Sequence, residues 1–304
     1  MKELLEQILA ESRQYVNEGK LADYIPELGR VNKDRIGIFV YGENGEEYCA
    51  GDWDKRFTIQ SICKPILLLM AIKDHGIEEV KKYVGVESTG KPFNAIDYSE
   101  QSSLRENINP MVNIGAIATC SMVDGENYRH KITRLLEFTS KLTGNPEIDI
   151  DYSVFASEKI TGDKNKALAY LLKSAGLVTG SVTELLDVYF AMCSMKVNCK
   201  DLAHMGYLLA HHGVDINGNR VISVEEARFV NAVLTICGMY DGSGEFATKV
   251  GIPSKSGVGG GIMSVVPGKM GIGLFSPALD KKGNSVAGVK MLEKLSAELD
   301  LSIF

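Results

Sequence analysis

The stretch FTIQSICKPILLLM, Phe57 to Met70, places a serine and a lysine three positions apart where an apolar run begins. The apolar spacing, with proline at position 65 where a missing N–H does no harm, predicts a helix from Ser61 to about His75. Residues three apart lie on one side of a helix, so Ser61 and Lys64 should face the same way. A lysine of lowered pKa can take a proton from a serine hydroxyl, which would make the serine oxygen a nucleophile. The alternative is a capping serine beside a solvated lysine.

A second motif near the end of the chain favours the chemical interpretation. Lys255-Ser256-Gly257 follows the Ser-x-x-Lys helix in the chain order of the Lys-Thr-Gly strand of penicillin-recognising enzymes. The glycines at 257, 259, 260 and 261 would let this backbone approach a ligand closely. One amide of this strand and the amide of Ser61 could then hold an oxyanion. A glycine-rich sheet edge without chemistry is the structural alternative.

The rest of the chain predicts an antiparallel sheet with helices. A turn at residues 42–45 joins two strand-like runs after an amphipathic first helix, and residues 76–238 are mostly helical segments. Short β-like runs and a closing helix follow; the runs are EFATKVGI, SKSGVGG, GIMSVVP and KMGIGLFSP. We expect an α/β (α+β) fold in one domain of two lobes, with the sheet and its helices in residues 1–60 plus 239–304 and a helical lobe in residues 61–238. The cleft between the lobes is the expected site.

Composition points to a small-molecule partner. The 304 residues are 45% hydrophobic and carry a formal net charge of −6, which argues against nucleic acid or an anionic membrane surface as the main partner. Six cysteines form no CxxC pair, so we expect reduced thiols in a cytoplasmic protein. Glutamates interrupt the apolar positions of the first helix, so we do not expect it to be a signal peptide, and no apolar run approaches the roughly 18 residues of a membrane span.

Other motifs carry less weight. GVESTGKP, residues 85–92, imitates a phosphate loop, but Pro92 replaces the hydroxyl residue that should reach magnesium. Ser88 and Lys91 of this loop repeat the Ser-x-x-Lys spacing outside a helix. The five histidines form no HExxH and no GxSxG elbow is present, so we expect no metal and no Ser-His-Asp triad of that fold. Cys63 should point away from Ser61 as a packing thiol.

Taken together, the motifs resemble those of the serine-dependent glutaminases, which hydrolyse L-glutamine to L-glutamate and ammonia on a β-lactamase-like fold. Nearly the whole chain carries the resemblance, through YIPELG, FTIQSICKP, ESTGKPFN, NPMVNIGAI, SEKITGDKN, YFAMCSM, CGMYDGSGEFA, PSKSGVGGGI and LDKKGNSVAG. The chain departs from the usual family pattern mildly, with Cys63 where serine or valine is common and Lys164 where arginine usually precedes the asparagine.

The resemblance implies a role for each of ten residues. Ser61 would attack the glutamine side-chain amide with help from Lys64, and the backbone amides of Ser61 and Val258 would hold the oxyanion. Tyr24 and Tyr240 could shuttle protons, in an order that stays open. Glu158 would take the substrate α-ammonium, whereas Asn113, Asn165 and Tyr189 would hydrogen-bond its polar ends. Lys255 would tune the field around Ser61 or serve as a structural ion-pair partner.

The resemblance also implies an enzyme without cofactor or metal, with L-glutamine as its small-molecule substrate, assembled as a homo-oligomer, a dimer or a tetramer. Two other functions stay open at this point. A penicillin-binding peptidase or β-lactamase shares the first and last motifs, and a non-catalytic module could use the same cleft to bind an amino acid.

Overall fold

The structure is a computed structural model that describes residues 1–88, 90, 94–95 and 108–304. Its strands are β1 Gly37–Gly42, β2 Glu47–Gly51, β3 Phe57–Thr58, β4 Asp149–Ile150, β5 Met195–Val197, β6 Ser254–Ser256, β7 Gly261–Val266 and β8 Met270–Phe275. Its helices are α1 Lys2–Ser12, α2 Lys64–His75, α3 Ile77–Val80, α4 Asn113–Ser121, α5 Tyr128–Thr143, α6 Tyr152–Thr161, α7 Asp163–Ser174, α8 Val182–Cys193, α9 Cys199–Ala210, α10 Val224–Cys237, α11 Ser243–Lys249 and α12 Val286–Leu299. None of the helices in the described ranges is long and apolar enough to cross a membrane.

The main sheet has five strands in the order β2-β1-β8-β7-β6, and every neighbouring pair is antiparallel. The predicted hairpin and the three C-terminal strands therefore form one sheet, and the predicted fold class is confirmed. A second sheet, β3-β5-β4, holds the segment just before Ser61. Sequence reasoning did not find this sheet, because strands of two or three residues give no detectable alternation.

Both faces of the main sheet are covered. Along β1, Ile38 and Val40 join the core that α1 and α12 supply, whereas Phe39 and Tyr41 join the core that contains α9. Successive side chains of a strand point to opposite faces, so a strand buried on both sides must be apolar throughout. The sequence GIFVYG of β1 has this composition, and all six residues are buried.

Alternate glycines let α9 lie directly on β8. A Cβ atom added to Gly271 would fall 1.9 Å from the carbonyl oxygen of Ala203, and one added to Gly273 would fall 1.9 Å from that of Cys199. No side chain fits in such a gap, so glycine is required at both positions. This close contact fixes the helical part of the chain against the sheet.

Two sequence predictions about helices were wrong or incomplete. The run EFATKVGI was predicted as β-like, but residues 245–249 belong to α11. The side chain of Phe246 is buried in the core around α12, and Glu245 pairs with Lys249 one turn later. Local helical pairing and burial of one face override an alternating pattern this short. Helices α4 and α6 lie in residues 76–238, where the sequence predicted mostly helical segments, but neither helix was predicted individually.

The proposed division into two lobes stays a prediction. Helix α9 comes from the segment assigned to the helical lobe, yet it packs against β8, β7 and β1 of the sheet. The other central helix, α2, is buried over its first nine residues, from Lys64 to Ile72. A helix that is apolar on all sides belongs in a core, and α2 carries Lys64 into it.

Candidate active site

Ser61 lies in a tight 3-10 turn, Gln60–Cys63, that leads into α2. The helix proper begins at Lys64, three residues later than predicted, with Pro65 in its first turn as expected. Gln60, directly before the serine, has φ 49°, a left-handed conformation that is strained for a non-glycine residue. The Ser61 side chain does not cap α2, so the capping alternative does not apply.

Hydrogen bonds link Ser61 to two asparagines through the lysine. Lys64 Nζ donates to Ser61 Oγ at 3.0 Å and to Asn113 Oδ1 at 2.7 Å. Asn113 Nδ2 donates onward to Asn165 Oδ1 at 2.9 Å. The first residue of α4 is therefore tied to α2 and to α7. Ser61 and Lys64 face each other as the three-residue spacing predicted.

The environment of Lys64 weakens its positive charge. The side chain is fully buried, and burial lowers the pKa of Lys64 to about 8. Its place at the N-terminus of α2 also disfavours a cation, since the helix dipole is positive there. A lysine that is neutral in part near neutral pH can accept a proton from the hydroxyl it contacts. The solvated-lysine alternative is excluded by this burial.

The backbone of the turn between β6 and β7 packs closely against the segment that leads into the Ser61 turn. A Cβ atom added to Gly257 would meet the carbonyl oxygen of Ile59 at 2.7 Å, and one added to Gly259 would meet that of Thr58 at 2.4 Å. Val258 lies between these glycines and borders the same cavity as Ser61. The glycines are thus needed for the approach of two backbones, which brings the Val258 amide close to the serine turn.

Tyr240 and Lys255 lie behind Ser61. The Tyr240 hydroxyl donates to the Ser256 carbonyl oxygen at 3.0 Å and also interacts with the Ser61 hydroxyl. Burial raises the pKa of Tyr240, and its φ of 54° makes it the second left-handed residue of the site. Lys255 Nζ lies 4.3 Å from the centre of the Tyr240 ring and donates to the carbonyl oxygens of Gly238 and Ser256. Burial lowers the pKa of Lys255 well below its usual value.

A cavity of about 430 Å³ opens in front of Ser61. Seven of the ten residues that the resemblance singled out line it, namely Tyr24, Ser61, Asn113, Glu158, Asn165, Tyr189 and Val258. The remaining three, Lys64, Tyr240 and Lys255, contact Ser61 or Tyr240 from behind. The structure thus gathers all ten in one place, and their separate roles stay predictions.

Glu158 supplies a carboxylate to this cavity. It is almost completely buried, and burial raises the pKa of Glu158 to about 7, while a hydrogen bond with Gln60 and the nearby Lys64 act in the opposite direction. Gln60 Nε2 also donates to Thr58 Oγ1 at 3.3 Å. Sequence reasoning missed Gln60, because nothing in the residue before a serine signals a left-handed backbone or a contact with a carboxylate almost 100 positions away.

The two tyrosines at the cavity differ in exposure. Tyr24 has 55% of its surface exposed, although burial of its hydroxyl end raises the pKa. Its loop is held by Ala22, Ile25 and Leu28, which pack with Val258. Tyr189 is only 2% exposed, and desolvation raises its pKa well above the usual value. Both hydroxyls are therefore proton donors rather than anions at neutral pH.

A second cavity, of about 320 Å³, lies beyond the 3-10 turn Tyr240–Gly242 and is not lined by any of the ten predicted site residues, although it lies next to Tyr240. Three of its charged residues pair with one another, since Glu245 accepts from both Lys249 and Lys282. Among the described residues, no group of three or more His, Cys, Asp and Glu side chains is arranged to hold a metal ion. The loop with the second Ser-x-x-Lys pair includes Thr89 and residues 91–93, which lie outside the described residues.

An antiparallel sheet backed by helices, with a serine–lysine turn packed against a turn at its edge strand, defines the β-lactamase-like class of proteins. Residues 19–304 match the family model "Glutaminase". The chain is 52% identical over 305 residues to "Glutaminase 2" of Clostridium perfringens and 53% identical over 305 residues to "Glutaminase" of Clostridium tetani, with 100% of each chain covered. A Bacillus subtilis glutaminase, solved as a covalent complex with 5-oxo-L-norleucine, is 37% identical with a TM-score of 0.91, covering 100% of this chain and 99% of that one. The chain belongs to the glutaminase family, and the resemblance expected from the motifs is confirmed.

Proposed function

We propose that this chain hydrolyses L-glutamine to L-glutamate and ammonia through an acyl ester on Ser61. The observation that carries the proposal is the 3.0 Å contact between Lys64 Nζ and Ser61 Oγ at the wall of a cavity of about 430 Å³. A hydroxyl becomes a nucleophile only when a nearby base removes its proton, and a buried lysine of lowered pKa is such a base.

In the first half-reaction, Ser61 Oγ attacks the side-chain amide carbon of glutamine and its proton passes to Lys64. The amides of Ser61 and Val258 donate to the oxyanion that forms. The C–N bond then breaks, and the nitrogen leaves as ammonia after it receives a proton. We assign this proton transfer to Tyr240, and the interaction of its hydroxyl with Ser61 supports the assignment.

In the second half-reaction, water attacks the ester carbon and the Ser61 oxygen leaves. The water loses one proton to a basic group of the site, and the Ser61 oxygen receives one proton. Tyr24 and Tyr240 are the candidate carriers, since burial raises the pKa of both hydroxyls and keeps them protonated. Which of the two tyrosines carries which proton does not follow from the geometry.

Substrate recognition follows from the charges of free glutamine. The Glu158 carboxylate would pair with the α-ammonium, and the cation would in turn favour the charged form of a group whose pKa is about 7. Asn113, Asn165 and Tyr189 line the same cavity and would hydrogen-bond the carboxylate and the amide. A glutamine within a protein lacks both free charges, so we expect it to be a poor substrate.

Two further observations support the proposal. The Bacillus subtilis relative forms its covalent complex by reaction with 6-diazo-5-oxo-L-norleucine, as expected of an enzyme with a nucleophile in its substrate site. All six cysteines of this chain are free thiols, which is usual in a reducing compartment, and we propose a cytoplasmic location. Assembly as a homodimer or homotetramer is likewise proposed, and light scattering of the purified protein measures it.

An ammonia-release assay with L-glutamine, L-asparagine and D-glutamine tests the substrate. We expect turnover of L-glutamine, and Ser61→Ala should lower kcat on the order of 10⁵-fold without loss of the folded state. Intact mass after 6-diazo-5-oxo-L-norleucine should show one adduct in the parent chain and none in Ser61→Ala. Full activity of that variant would sink the mechanism.

The same protein samples decide between the alternatives. Stoichiometric labelling of Ser61 by a fluorescent penicillin, without ammonia release, would favour a penicillin-recognising enzyme. Calorimetric binding of L-glutamine without any ammonia would favour an amino-acid-binding module.

A further inference from the structure

Two thiols meet directly behind the serine turn. Cys63 is the last residue of that turn, and Cys193 is the last residue of α8. Their sulfur atoms lie 3.9 Å apart with one S–H directed at the other sulfur, and both residues are buried. The proposed mechanism uses neither thiol. The contact brings together two cysteines that are 130 positions apart in the chain.

One of the two thiols faces the substrate cavity. Cys193 lines the cavity together with Ser61 and Tyr189, whereas Cys63 is fully buried behind it. A cavity of about 430 Å³ admits a molecule much smaller than an amino acid. A small oxidant can therefore reach Cys193, whose sulfur contacts the Cys63 sulfur behind it.

We propose that Cys63 and Cys193 form a site of reversible oxidation, in which a hydroperoxide converts the two thiols to a disulfide. The Cys193 thiolate attacks one peroxide oxygen, the O–O bond breaks, and sulfenic acid and hydroxide form. Cys63 sulfur then attacks the sulfenic sulfur and releases water. With hydrogen peroxide, two thiols and one peroxide give one disulfide and two waters, so the two electrons lost by sulfur reduce the peroxide.

The disulfide would change the geometry of the site. A disulfide bond is about 2.05 Å long, so the sulfur atoms must approach each other by roughly 2 Å. Cys63 lies in the chain between Ser61 and Lys64, and Cys193 follows Tyr189 by one turn of α8. Closing the bond pulls on both segments. A displacement of about 1 Å in a catalytic group can cost about 100-fold in rate, so the oxidised chain should be at least tenfold less active.

Protonation limits the rate of this reaction. The hydrogen bond with Cys63 and burial raise the pKa of Cys193 well above its usual value. The thiolate is the reactive form, so oxidation at neutral pH should be slow and should accelerate as the pH rises.

Peptide mapping without reduction, after treatment with hydrogen peroxide, tests the proposal independently of activity. We expect a linked pair of peptides that contain Cys63 and Cys193, formed faster at pH 8.5 than at pH 7. Ammonia release should fall at least tenfold in step with the link, and dithiothreitol should restore it.

Cys63→Ser is the matched variant, because it removes one partner at nearly constant volume. It should form no link, and its losses on peroxide, relative to its own untreated activity, should not be restored by dithiothreitol. Cys49→Ser is the control for the half-exposed thiol away from the site, and it should behave as the parent chain does. Oxidation of Cys49 with no link between Cys63 and Cys193, or a complete link with full activity, would overturn the proposal.

Discussion

Among the residues that the structure describes, two lysines are buried completely, and they differ in what they contact. Lys64 donates to side chains, Ser61 Oγ and Asn113 Oδ1. Lys255 donates to backbone carbonyls, those of Gly238 and Ser256, and lies over the ring of Tyr240. Burial lowers the pKa of both, and the nearby charge of Lys64 lowers the pKa of Lys255 further.

The contrast shows that burial and a lowered pKa do not define a catalytic base. Lys64 touches a hydroxyl that can give up a proton, whereas neither hydrogen-bond partner of Lys255 can. Lys255 instead joins the strand β6 to the turn of Tyr240. We therefore assign the proton transfer to Lys64 and the positioning of Tyr240 to Lys255, and the variants below test this assignment.

The largest effect is expected for Lys64→Met. The variant keeps the length of the side chain but has no base, and kcat should fall on the order of 10⁴-fold. Stability should move the other way. Because burial lowers the pKa of Lys64, the charged lysine destabilises the fold more as the pH falls from 10.5 through about 8. Lys64→Met should therefore melt higher than the parent chain at pH 7. A variant that keeps more than a tenth of the activity would refute the assignment.

A smaller loss is expected for Lys255→Met. The variant removes one of the two donors to the Gly238 carbonyl, which still accepts from the Ser256 amide, and it removes the cation beside the Tyr240 ring. The resulting displacement of the Tyr240 side chain should lower kcat about 100-fold, with KM changed little. Steady-state kinetics of ammonia release measure both constants. A loss equal to that of Lys64→Met would erase the distinction between the two lysines.

The pH profile of kcat/KM should distinguish the two lysines. A limb of the profile that depends on one titrating group changes by about tenfold per pH unit. Lys64 accepts a proton only when neutral, so kcat/KM should rise with pH up to about 8 and then level off. Glu158, with a pKa of about 7, must be charged to bind an ammonium and adds a second fall below pH 7. Lys255→Met should keep the limb near pH 8, whereas the residual activity of Lys64→Met should lose it. An unchanged limb in Lys64→Met would identify another group as the base.

The smallest effect concerns the backbone contact that brings Val258 to Ser61. Gly259→Ala places a Cβ atom 2.4 Å from the Thr58 carbonyl oxygen, which forces the two turns apart. We expect a loss of about 1–3 kcal/mol in the free energy of unfolding and a fall in kcat of about tenfold. Thermal unfolding and ammonia release measure the two effects.

Gly244→Ala is the matched control for that substitution. Nothing lies within 4 Å of the added Cβ atom, and Gly244 belongs to α11, where alanine favours the helix. Its melting temperature should be equal to or above that of the parent chain. Equal behaviour of the two alanine variants would show that the close approach of the turns is not required.

Much of the fold was predictable because its signals are local. The hairpin of β1 and β2, the three C-terminal strands and the helix with Pro65 follow from turn residues and from the periodicity of apolar positions. The error at residues 245–252 has the same origin. An alternating run of eight residues is too short to outweigh burial of Phe246 on one face of a helix.

The sequence by itself determined that Ser61 and Lys64 face each other, because one turn of backbone fixes that geometry whatever surrounds it. It also determined the family, through many motifs in one order. Only the tertiary structure decided that Asn113 accepts from Lys64, that Gln60 reaches Glu158, and that Cys63 meets Cys193. Each of these contacts joins residues at least 49 positions apart, and no local pattern encodes the packing of helices that brings them together.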